Sequence, residues 1–241
     1  MGDSSFSLDS DVFPLTSGDL HLWHGALDDP RFAALPSLLS RDEQVRAARY
    51  LDPLVGRRFA VGRGLLRLTL GHYLKLPPNS LIFEGGGQSK PRLNDPLGAS
   101  NLEFNLSHSN GMILIGVAQG RQVGVDLEYI RPIDQPLKLA KRFFSPAEAA
   151  KLARIPESDQ QVGFFRCWTY KEAYIKARGG GMSIPLDSFE VAFSPDETPC
   201  LLYCTDDNPQ RWQLIAITTI PGYASAVVIE RPLNKLTLRA I

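Results

Sequence analysis

The same order of secondary structure occurs twice along this chain of 241 residues, with helices first and strands after them. In the first half, hydrophobic spacing and helix-start signals predict a strand over 21–27, helices over 41–50 and 54–74, and strands over 81–84, 102–106 and 112–118. In the second half they predict a strand over 122–128, helices over 136–142, 145–154 and 159–178, and strands over 187–193, 200–205, 211–219 and 223–230. This repeated order indicates an α+β fold built from two lobes of similar size.

A polar turn with the sequence Gln-Gly-Arg-Gln separates the two halves at residues 119–122. A boundary at this turn costs little packing, so we predict an N-terminal lobe over 1–120 and a C-terminal lobe over 121–241. The strands on either side of the turn, 112–118 and 122–128, are predicted to pair as a β-hairpin.

The chain carries equal numbers of basic and acidic residues, 26 of each, and therefore has a formal net charge of zero. General nucleic-acid binding is not expected, because a basic excess normally supplies its affinity. No apolar stretch approaches the length needed to cross a bilayer, and the polar, acidic beginning lacks a signal pattern. The 3 cysteines include no CxxC pair, which is typical of reduced thiols. These features predict a soluble, cytoplasmic protein.

One stretch of the first half is locally basic, because no acidic residue occurs between Asp52 and Glu84. Two interpretations remain open. Either the cations belong to a helix in which they are solvated or paired with acids elsewhere, or they form a cradle for an anionic ligand. Composition alone does not distinguish the two. The cations of this stretch are Arg57, Arg58, Arg63, Arg67 and Lys75.

Two acids stand at the end of the apolar strand predicted over 122–128. Asp126 and Glu128 are two residues apart, so in an extended strand their side chains project from the same face. Neighbouring carboxylates repel each other, and burial strengthens the repulsion. A divalent cation would relieve it, and hard carboxylate oxygens suit Mg²⁺. The alternative is a strand end that meets solvent, where acids are common.

The long helix predicted over 159–178 carries charged residues among large apolar ones. Trp168, Glu172 and Lys176 follow each other at intervals of four residues and therefore share one face of the helix. An ordinary surface ion pair between Glu172 and Lys176 would also give this spacing. Neighbouring aromatic residues such as Phe165 indicate that much of the helix is buried, where charges need partners. Burial therefore favours a functional role for the pair.

A histidine flanked by serines follows the strand predicted over 102–106. His108 stands between Ser107 and Ser109, whose hydroxyls are able to bind an anion together with the imidazole. The alternative is a structural histidine whose ring nitrogens are satisfied inside the fold.

Taken together, these three segments resemble the Sfp-type 4′-phosphopantetheinyl transferases. The family signature combines an (I/V)G(I/V)D-x-E strand with a later W-x-x-K-E-(A/S)-x-x-K helix, and an F-N-x-S-H-S segment precedes both. All three occur here in this order, and the resemblance extends over about residues 40–193. The sequence Leu-Glu-Tyr-Ile-Arg-Pro over 127–132 is most similar to the cyanobacterial members. The matching segments are Phe104–Ser109, Val123–Glu128 and Trp168–Lys176.

The resemblance implies a fold in which two similar lobes are related by pseudo-twofold symmetry. It also implies a transferase that moves the 4′-phosphopantetheine arm of coenzyme A to a serine of an apo carrier protein, releasing adenosine 3′,5′-bisphosphate. Asp126, Glu128 and Glu172 are expected to bind Mg²⁺ together with the pyrophosphate of coenzyme A. Glu172 is also expected to act as general base, and Lys176 to stabilise the leaving phosphate. Lys171 is expected either to assist or to pair with an acid.

The resemblance further implies a set of residues that hold the 3′-phosphate and adenine of coenzyme A, to which an arginine of the basic stretch is added. The expected residues are Arg46, Arg58, Lys90, Ser107 and His108. Three positions differ from some relatives: Glu43 replaces a lysine, Phe59 a threonine, and Ser89 a glycine. These differences affect the expected phosphate and adenine contacts and leave the metal site unchanged.

The implied partners are acyl carrier proteins or the carrier domains of fatty-acid, polyketide or nonribosomal peptide synthetases, with no nucleic acid, no membrane and a monomeric enzyme. We expect the carrier to dock near Phe143 and Phe144, unless these side chains belong to the core. Two other functions remain as alternatives. A module that binds coenzyme A or a carrier without catalysis predicts the loss of Asp126 or Glu172. A Mg²⁺-dependent nucleotidyl transferase or nuclease predicts a broad basic surface.

Overall fold

The computed structural model of the protein describes residues 14–85, 90–94 and 101–241, and its elements are numbered here along the chain. The α-helices are α1 (Arg41–Ala48), α2 (Pro53–Leu74), α3 (Pro136–Phe143), α4 (Pro146–Arg154) and α5 (Glu157–Arg178). The strands are β1 (Asp19–Ala26), β2 (Phe83–Glu84), β3 (Arg92–Leu93), β4 (Leu102–Ser109), β5 (Met112–Gln119), β6 (Val123–Tyr129), β7 (Phe189–Ala192), β8 (Cys200–Cys204), β9 (Trp212–Ala216), β10 (Tyr223–Glu230) and β11 (Lys235–Ala240). The sequence predicted all of these elements except β3 and β11.

Two sheets form the centre of the fold, and one long helix packs on each. The first sheet has the order β11–β1–β5–β4, and the second has the order β6–β10–β9. Helix α2 packs its apolar side, including Leu65, against Ile113 and Val117 of the first sheet. Helix α5 packs on the second sheet, where Ala173 and Val228 share one apolar cluster. Each lobe therefore has a helix of 22 residues over a sheet, which is the predicted α+β arrangement.

The predicted hairpin between β5 and β6 is wrong, because these consecutive strands belong to different sheets. Strand β5 pairs with β1 on one side and with β4 on the other, so both of its edges are occupied. Strand β6 pairs with β10 instead. The turn at Gln119 and Gly120 therefore passes the chain from the first sheet to the second.

Strands β4 and β6 are the facing edges of the two sheets. Among the described residues no backbone ladder connects these two strands, and side-chain hydrogen bonds join them instead. Asn105 of β4 accepts the backbone N–H of Val125 through its Oδ1 atom at 2.9 Å. Behind this seam, Leu22 and Leu114 of the first sheet share an apolar cluster with Val227 of the second. The seam and the shared cluster hold the lobes together and fix β4 against β6.

Helix α5 lies very close to β6 because Gly124 has no side chain. A Cβ atom at this position would overlap with the backbone oxygen of Ala173 and the backbone nitrogen of Ala177. The close approach brings Lys176 of the helix within hydrogen-bonding distance of Asp126 on the strand. The glycine of the strand motif thus sets the distance between the two halves of the site.

The last strand returns to the first lobe. β11 pairs in parallel with β1, with Leu238 opposite Leu22, so residues 235–240 extend the first sheet. The division between residues 120 and 121 stays a prediction. The return of β11 to the first sheet was not part of that prediction. None of the helices in the described part of the chain has both the length and the apolar character that crossing a bilayer needs.

Candidate active site

A polar cavity of about 760 Å³ opens between the lobes, with walls formed by α1, α2, β4, β6 and α5. Trp168, Glu172 and Lys176, which the spacing placed on one helix face, all line it. Arg58 and Lys90 are not part of its wall. The other predicted site residues that line the cavity are Arg46, Ser107, His108, Asp126 and Glu128.

Asp126 is the most deeply buried acid of the cavity, with 3% of its surface exposed. Its Oδ1 atom accepts hydrogen bonds from Nζ of Lys176 at 2.6 Å and from Oγ of Ser107 at 2.9 Å. Lys176 also donates to Oγ of Ser107 at 3.0 Å. The second oxygen, Oδ2, is buried and has no hydrogen-bond partner among the described residues. A buried carboxylate oxygen without a donor is costly, so this atom is available to a ligand.

Glu128 lies at the end of β6 and is half-buried. Its Oε2 atom accepts a hydrogen bond from Oγ of Ser109 at 2.8 Å, and Arg131 lies 3.9 Å away. Burial raises the pKa of Glu128 and the negative charge of Asp126 raises it further, while Ser109 and Arg131 act against them. The net effect is a carboxyl group that binds its proton more tightly than an ordinary glutamate.

Glu172 faces the two acids of β6 from α5. Burial raises the pKa of Glu172, and the charges of Asp126 and Glu128 raise it further, whereas Lys176 lowers it. All three acids line the same cavity. In the described part of the chain, no three histidine, cysteine or acidic side chains are arranged closely enough to enclose an ion. Lys176 and Ser107 bind the carboxylate of Asp126, and Ser109 binds that of Glu128.

His108 of β4 presents its imidazole to the open cavity. The surrounding walls lower the pKa of His108, and the ammonium group of Lys176 lowers it further. The imidazole is therefore neutral near pH 7 and offers one N–H donor and one acceptor.

Arg46 of α1 lines the cavity with two aromatic side chains. Its guanidinium lies 4.9 Å from the ring centre of Phe59, and the ring of Tyr50 packs 5.5 Å from the same ring. Arg46 forms no ion pair with any described residue, so its charge is available to an anion entering the cavity. Phe59, one of the departures from the family pattern, therefore stabilises the position of the Arg46 guanidinium by a cation–π contact.

Glu43 pairs with two arginines of the basic stretch. Its carboxylate accepts hydrogen bonds from Arg63 at 2.6 and 2.8 Å and from Arg67 at 2.7 Å. Burial opposes ionisation, but these arginines outweigh it and lower the pKa of Glu43. Arg57 and Arg58 pair with Asp28 in the same way. The interpretation that these arginines pair with acids elsewhere is confirmed for all four.

Two residues predicted to bind coenzyme A have other partners in this structure. Arg58 forms an ion pair with Asp28 outside the cavity wall. The side chain of Lys90 is 8% exposed and lies 3.5 Å from Glu103, and its Nζ atom donates to the carbonyl of Val123 at 2.9 Å. Lys90 therefore closes the seam between the lobes, and the nearby Ser89 lies outside the described residues.

Sequence reasoning missed what the serines of the His108 segment do. Asn105, Ser107 and Ser109 alternate along β4, and all three bind β6, so they share the strand face turned toward it. The hydroxyls of Ser107 and Ser109 donate to the carboxylates of Asp126 and Glu128. A role of Ser107 in binding coenzyme A stays a prediction. The polar residues at every second position of β4 were the signal that one face of this strand binds other polar groups of the protein.

Two further expectations concern the second lobe. Lys171 is fully buried and lies 2.8 Å from both oxygens of Glu148, so it pairs with an acid and does not reach the cavity.

Phe144 is 3% exposed and stacks on Phe164 at 5.1 Å, so the expected contact of this residue with a carrier is wrong. Phe143 packs against Trp168 and is partly buried. The core interpretation therefore holds for Phe144.

Comparison with known proteins gives a consistent result. A family model described as the 4′-phosphopantetheinyl transferase superfamily matches residues 122–228. The chain is 41% identical over 217 residues to the 4′-phosphopantetheinyl transferase HetI of a Nostoc species, covering 89% of each protein. It is 33% identical over 213 residues to the transferase psf-1 of Bacillus pumilus, covering 84% of this chain and 88% of that protein. It is 29% identical over 196 residues to Sfp of Bacillus subtilis, covering 81% and 84%.

Proposed function

Because this chain belongs to the 4′-phosphopantetheinyl transferase superfamily, we propose that it loads apo carrier proteins at the cavity between its lobes. The phosphopantetheine arm of coenzyme A would be transferred to a carrier serine. One observation supports the assignment to this cavity: Asp126, Glu128 and Glu172 line it together with Lys176, whose ammonium group binds Asp126. The carriers would be acyl carrier proteins or carrier domains of fatty-acid, polyketide or nonribosomal peptide synthetases, and the enzyme a cytoplasmic monomer.

The transfer makes one bond and breaks one. Oγ of the carrier serine bonds to the phosphorus next to the pantetheine, and the bond from this phosphorus to the bridging oxygen of the pyrophosphate breaks. The bridging oxygen leaves with the electron pair as part of adenosine 3′,5′-bisphosphate. We propose that Glu172 takes up the serine proton. A carboxylate that also holds a metal ion is a weak base, so the position of Glu172 must supply much of its effect. Lys176 would stabilise the charge that develops on the leaving phosphate.

The oxygens at this end of the cavity fit a divalent cation. Oδ2 of Asp126 is buried and has no hydrogen-bond partner among the described residues, and the charge of Asp126 raises the pKa of both Glu128 and Glu172. A positive ion would relieve the repulsion and bind the free oxygen. We therefore propose that these three side chains hold Mg²⁺, which prefers hard oxygen ligands. Bound Mg²⁺ would supply Lewis-acid stabilisation of charge on the pyrophosphate.

Arg46 and His108 are our proposed ligands of the 3′-phosphate of coenzyme A. Both line the cavity, and Arg46 pairs with none of the described acids. A charged arginine and an imidazole N–H would together favour a dianionic phosphate through charge-assisted hydrogen bonds. A role for Arg58 and Lys90 stays a prediction, because other protein groups already bind their charged ends.

The proposal is tested by incubating the protein with Mg²⁺, coenzyme A and a panel of apo carriers, and measuring intact carrier masses. We expect one phosphopantetheine to be added to a serine, and chelation of Mg²⁺ to stop the reaction. Asp126→Asn and Glu172→Gln should each abolish transfer. Asp134→Asn and Glu157→Gln, which change exposed acids elsewhere, are the matched controls and should transfer normally.

Each alternative function has its own outcome in this experiment. Carriers that bind but never gain mass would indicate a module without catalysis. Cleavage or extension of nucleic acid by the same preparation would indicate a nuclease or nucleotidyl transferase. Unmodified carriers across the whole panel, with Mg²⁺ and coenzyme A present, would overturn the proposal.

A further inference from the structure

Each of the two acids that β6 brings to the cavity is held by a serine of β4 through one carboxylate oxygen. Ser107 donates to Oδ1 of Asp126 at 2.9 Å, and Ser109 donates to Oε2 of Glu128 at 2.8 Å. The other two oxygens, Oδ2 of Asp126 and Oε1 of Glu128, accept no hydrogen bond from a described residue. The same arrangement, with one oxygen bound and one available, therefore occurs twice along the seam between the lobes.

The direction of the Ser109 hydroxyl is fixed by a second hydrogen bond. Its oxygen accepts the backbone N–H of Tyr129 at 3.1 Å, and its only hydrogen is donated to Glu128. A serine hydroxyl has a single hydrogen, so it cannot turn elsewhere without losing the contact with the carboxylate. Because Tyr129 directly follows Glu128, Ser109 binds both the side chain and the backbone at this end of β6.

The backbone that carries Ser109 is fixed by a tight turn. Asn110 and Gly111 have positive φ angles of 43° and 84° and connect β4 to β5, as a two-residue Asn-Gly turn favours. The carbonyl of Gly111 accepts the backbone N–H of Leu27 in the first lobe at 2.6 Å. The carbonyl of Asn110 accepts the hydroxyl of Tyr223 in the second lobe at 3.0 Å. Both lobes therefore hold the turn, and the position of Ser109 is set with it.

We propose that Ser109 positions Glu128 for Mg²⁺ by binding Oε2 and leaving Oε1 to the ion. This inference rests on the proposed function, which assigns Mg²⁺ to Glu128 and two other acids. A group that hydrogen-bonds to a metal ligand orients it, and its removal typically lowers metal affinity or activity about ten- to a hundredfold. Arg131 lies 3.9 Å from the same Oε2 atom, so the available oxygen is on the other side of the carboxylate.

The test is the affinity of Ser109 variants for Mn²⁺, which binds the same oxygen ligands as Mg²⁺ and is followed by electron paramagnetic resonance. Titration in the presence of coenzyme A, without a carrier, measures binding in the absence of turnover. Ser109→Ala should raise the Kd for Mn²⁺ about tenfold. Ser109→Thr keeps the hydroxyl on a β-branched side chain that suits a strand, and it should restore most of the affinity. An unchanged Kd for Ser109→Ala would overturn the inference.

Ser225 of β10 provides a matched control. It is 3% exposed and donates its hydroxyl to the carbonyl of Ile217 at 2.7 Å, so Ser225→Ala also removes one hydrogen bond inside the fold. This variant should lower the free energy of unfolding and leave the Kd for Mn²⁺ unchanged. If both alanine variants weakened Mn²⁺ binding equally, the loss would reflect general destabilisation and Ser109 would have no positioning role.

A double variant tests whether the effect passes through Glu128. Asp126 and Glu172 remain in the Glu128→Gln protein, so its weaker binding of Mn²⁺ is still measured. Adding Ser109→Ala in this background should cause no further loss of affinity, because the carboxylate that the serine orients is already gone. A further tenfold loss would show that Ser109 acts on another group, contrary to the inference.

The outcomes separate this inference from the proposed function. If the unmodified protein loads carriers and Ser109→Ala binds Mn²⁺ as tightly as it does, only the role of Ser109 fails. If the unmodified protein loads none of the carriers in the panel, the proposed function itself fails. In carrier loading, Ser109→Ala should raise the Mg²⁺ concentration that gives the half-maximal rate about tenfold, while Ser225→Ala should not change it.

Discussion

The Nζ atom of Lys176 lies 2.6 Å from Oδ1 of Asp126, which joins the long helix of the second lobe to the strand that carries two of the three site acids. This contact neutralises one oxygen of a buried carboxylate. The other oxygen, Oδ2, has no hydrogen-bond partner among the described residues. A free carboxylate oxygen suits a cation and the ammonium group beside it suits an anion, so the pair is arranged for a ligand that brings both.

Replacing Lys176 by methionine should lower kcat for carrier loading about a hundredfold, as removal of one preorganised electrostatic group typically does. The side chain keeps its length and its apolar stem, so packing against the cavity wall is preserved. Lys176→Arg keeps the charge and should recover part of the rate. Stopped-flow or quenched-flow measurement of transfer at saturating substrates provides the number. Equal kcat values for the methionine variant and the unmodified protein would remove Lys176 from the mechanism.

Glu172→Gln should stabilise the metal-free protein while it abolishes transfer. Folding raises the pKa of Glu172, so above the folded pKa the native state carries a charge that burial and its neighbours disfavour. This cost is present at pH 8 and absent at a pH below the unfolded value, where both states bind the proton. The neutral amide should therefore add about 1 kcal/mol to the free energy of unfolding at pH 8.

Urea unfolding in the presence of a chelator checks this sign. The gain of Glu172→Gln should shrink as the pH is lowered toward 4 and through the pKa of an unfolded glutamate, about 4.3. Glu157→Gln, an exposed change in the first turn of the same helix, should give no gain at either pH. A Glu172→Gln protein that is less stable at pH 8 would mean that this carboxylate is not under electrostatic stress.

The residue spacing within a single helix or strand correctly predicted which site residues share a face. The interval of four residues brought Trp168, Glu172 and Lys176 to one face of α5, and the interval of two brought Asp126 and Glu128 to one face of β6. Both follow from helix and strand geometry, which needs no knowledge of the rest of the chain. Gly124, two residues before Asp126, was present in the motif, but its purpose became clear only when α5 was seen against β6.

Long-range pairing accounts for what the sequence did not predict. The β5–β6 hairpin fails because β5 has strand partners on both edges, and one of them, β1, comes from far earlier in the chain. Lys90 is taken by Glu103 and a backbone carbonyl, and Arg58 by Asp28, through contacts that no local pattern encodes. The sequence shows how many charged residues the protein has, but the tertiary fold decides which of them form ion pairs.

Gly124→Ala should destabilise the protein by about 3 kcal/mol, the upper part of the range for overpacking a filled interior. The new methyl group would overlap with backbone atoms of Ala173 and Ala177, and backbone cannot rotate away as a side chain can. Gly62→Ala in α2 is the control, because its methyl group would meet only Ile113 and Leu27 at ordinary contact distances of 3.4 and 3.6 Å. That variant should be neutral or slightly more stable, since alanine favours a helix. Equal unfolding free energies for both variants would show that α5 is free to move away from β6.

Arg46→Met should raise KM for coenzyme A about tenfold, because one charge-assisted hydrogen bond to the 3′-phosphate is lost. The kcat at saturation should change little, since the 3′-phosphate is remote from the bonds that are made and broken. Dephospho-coenzyme A, which lacks that phosphate, separates this role from a general loss of affinity: Arg46→Met should discriminate less between the two substrates than the unmodified enzyme does. Arg58→Met is the comparison, because Arg58 pairs with Asp28 outside the cavity wall. If only the Arg58 variant loses discrimination, the phosphate lies toward the start of α2 and Arg46 does not bind it; if only the Arg46 variant does, the open cavity wall of the first lobe is where the 3′-phosphate is held.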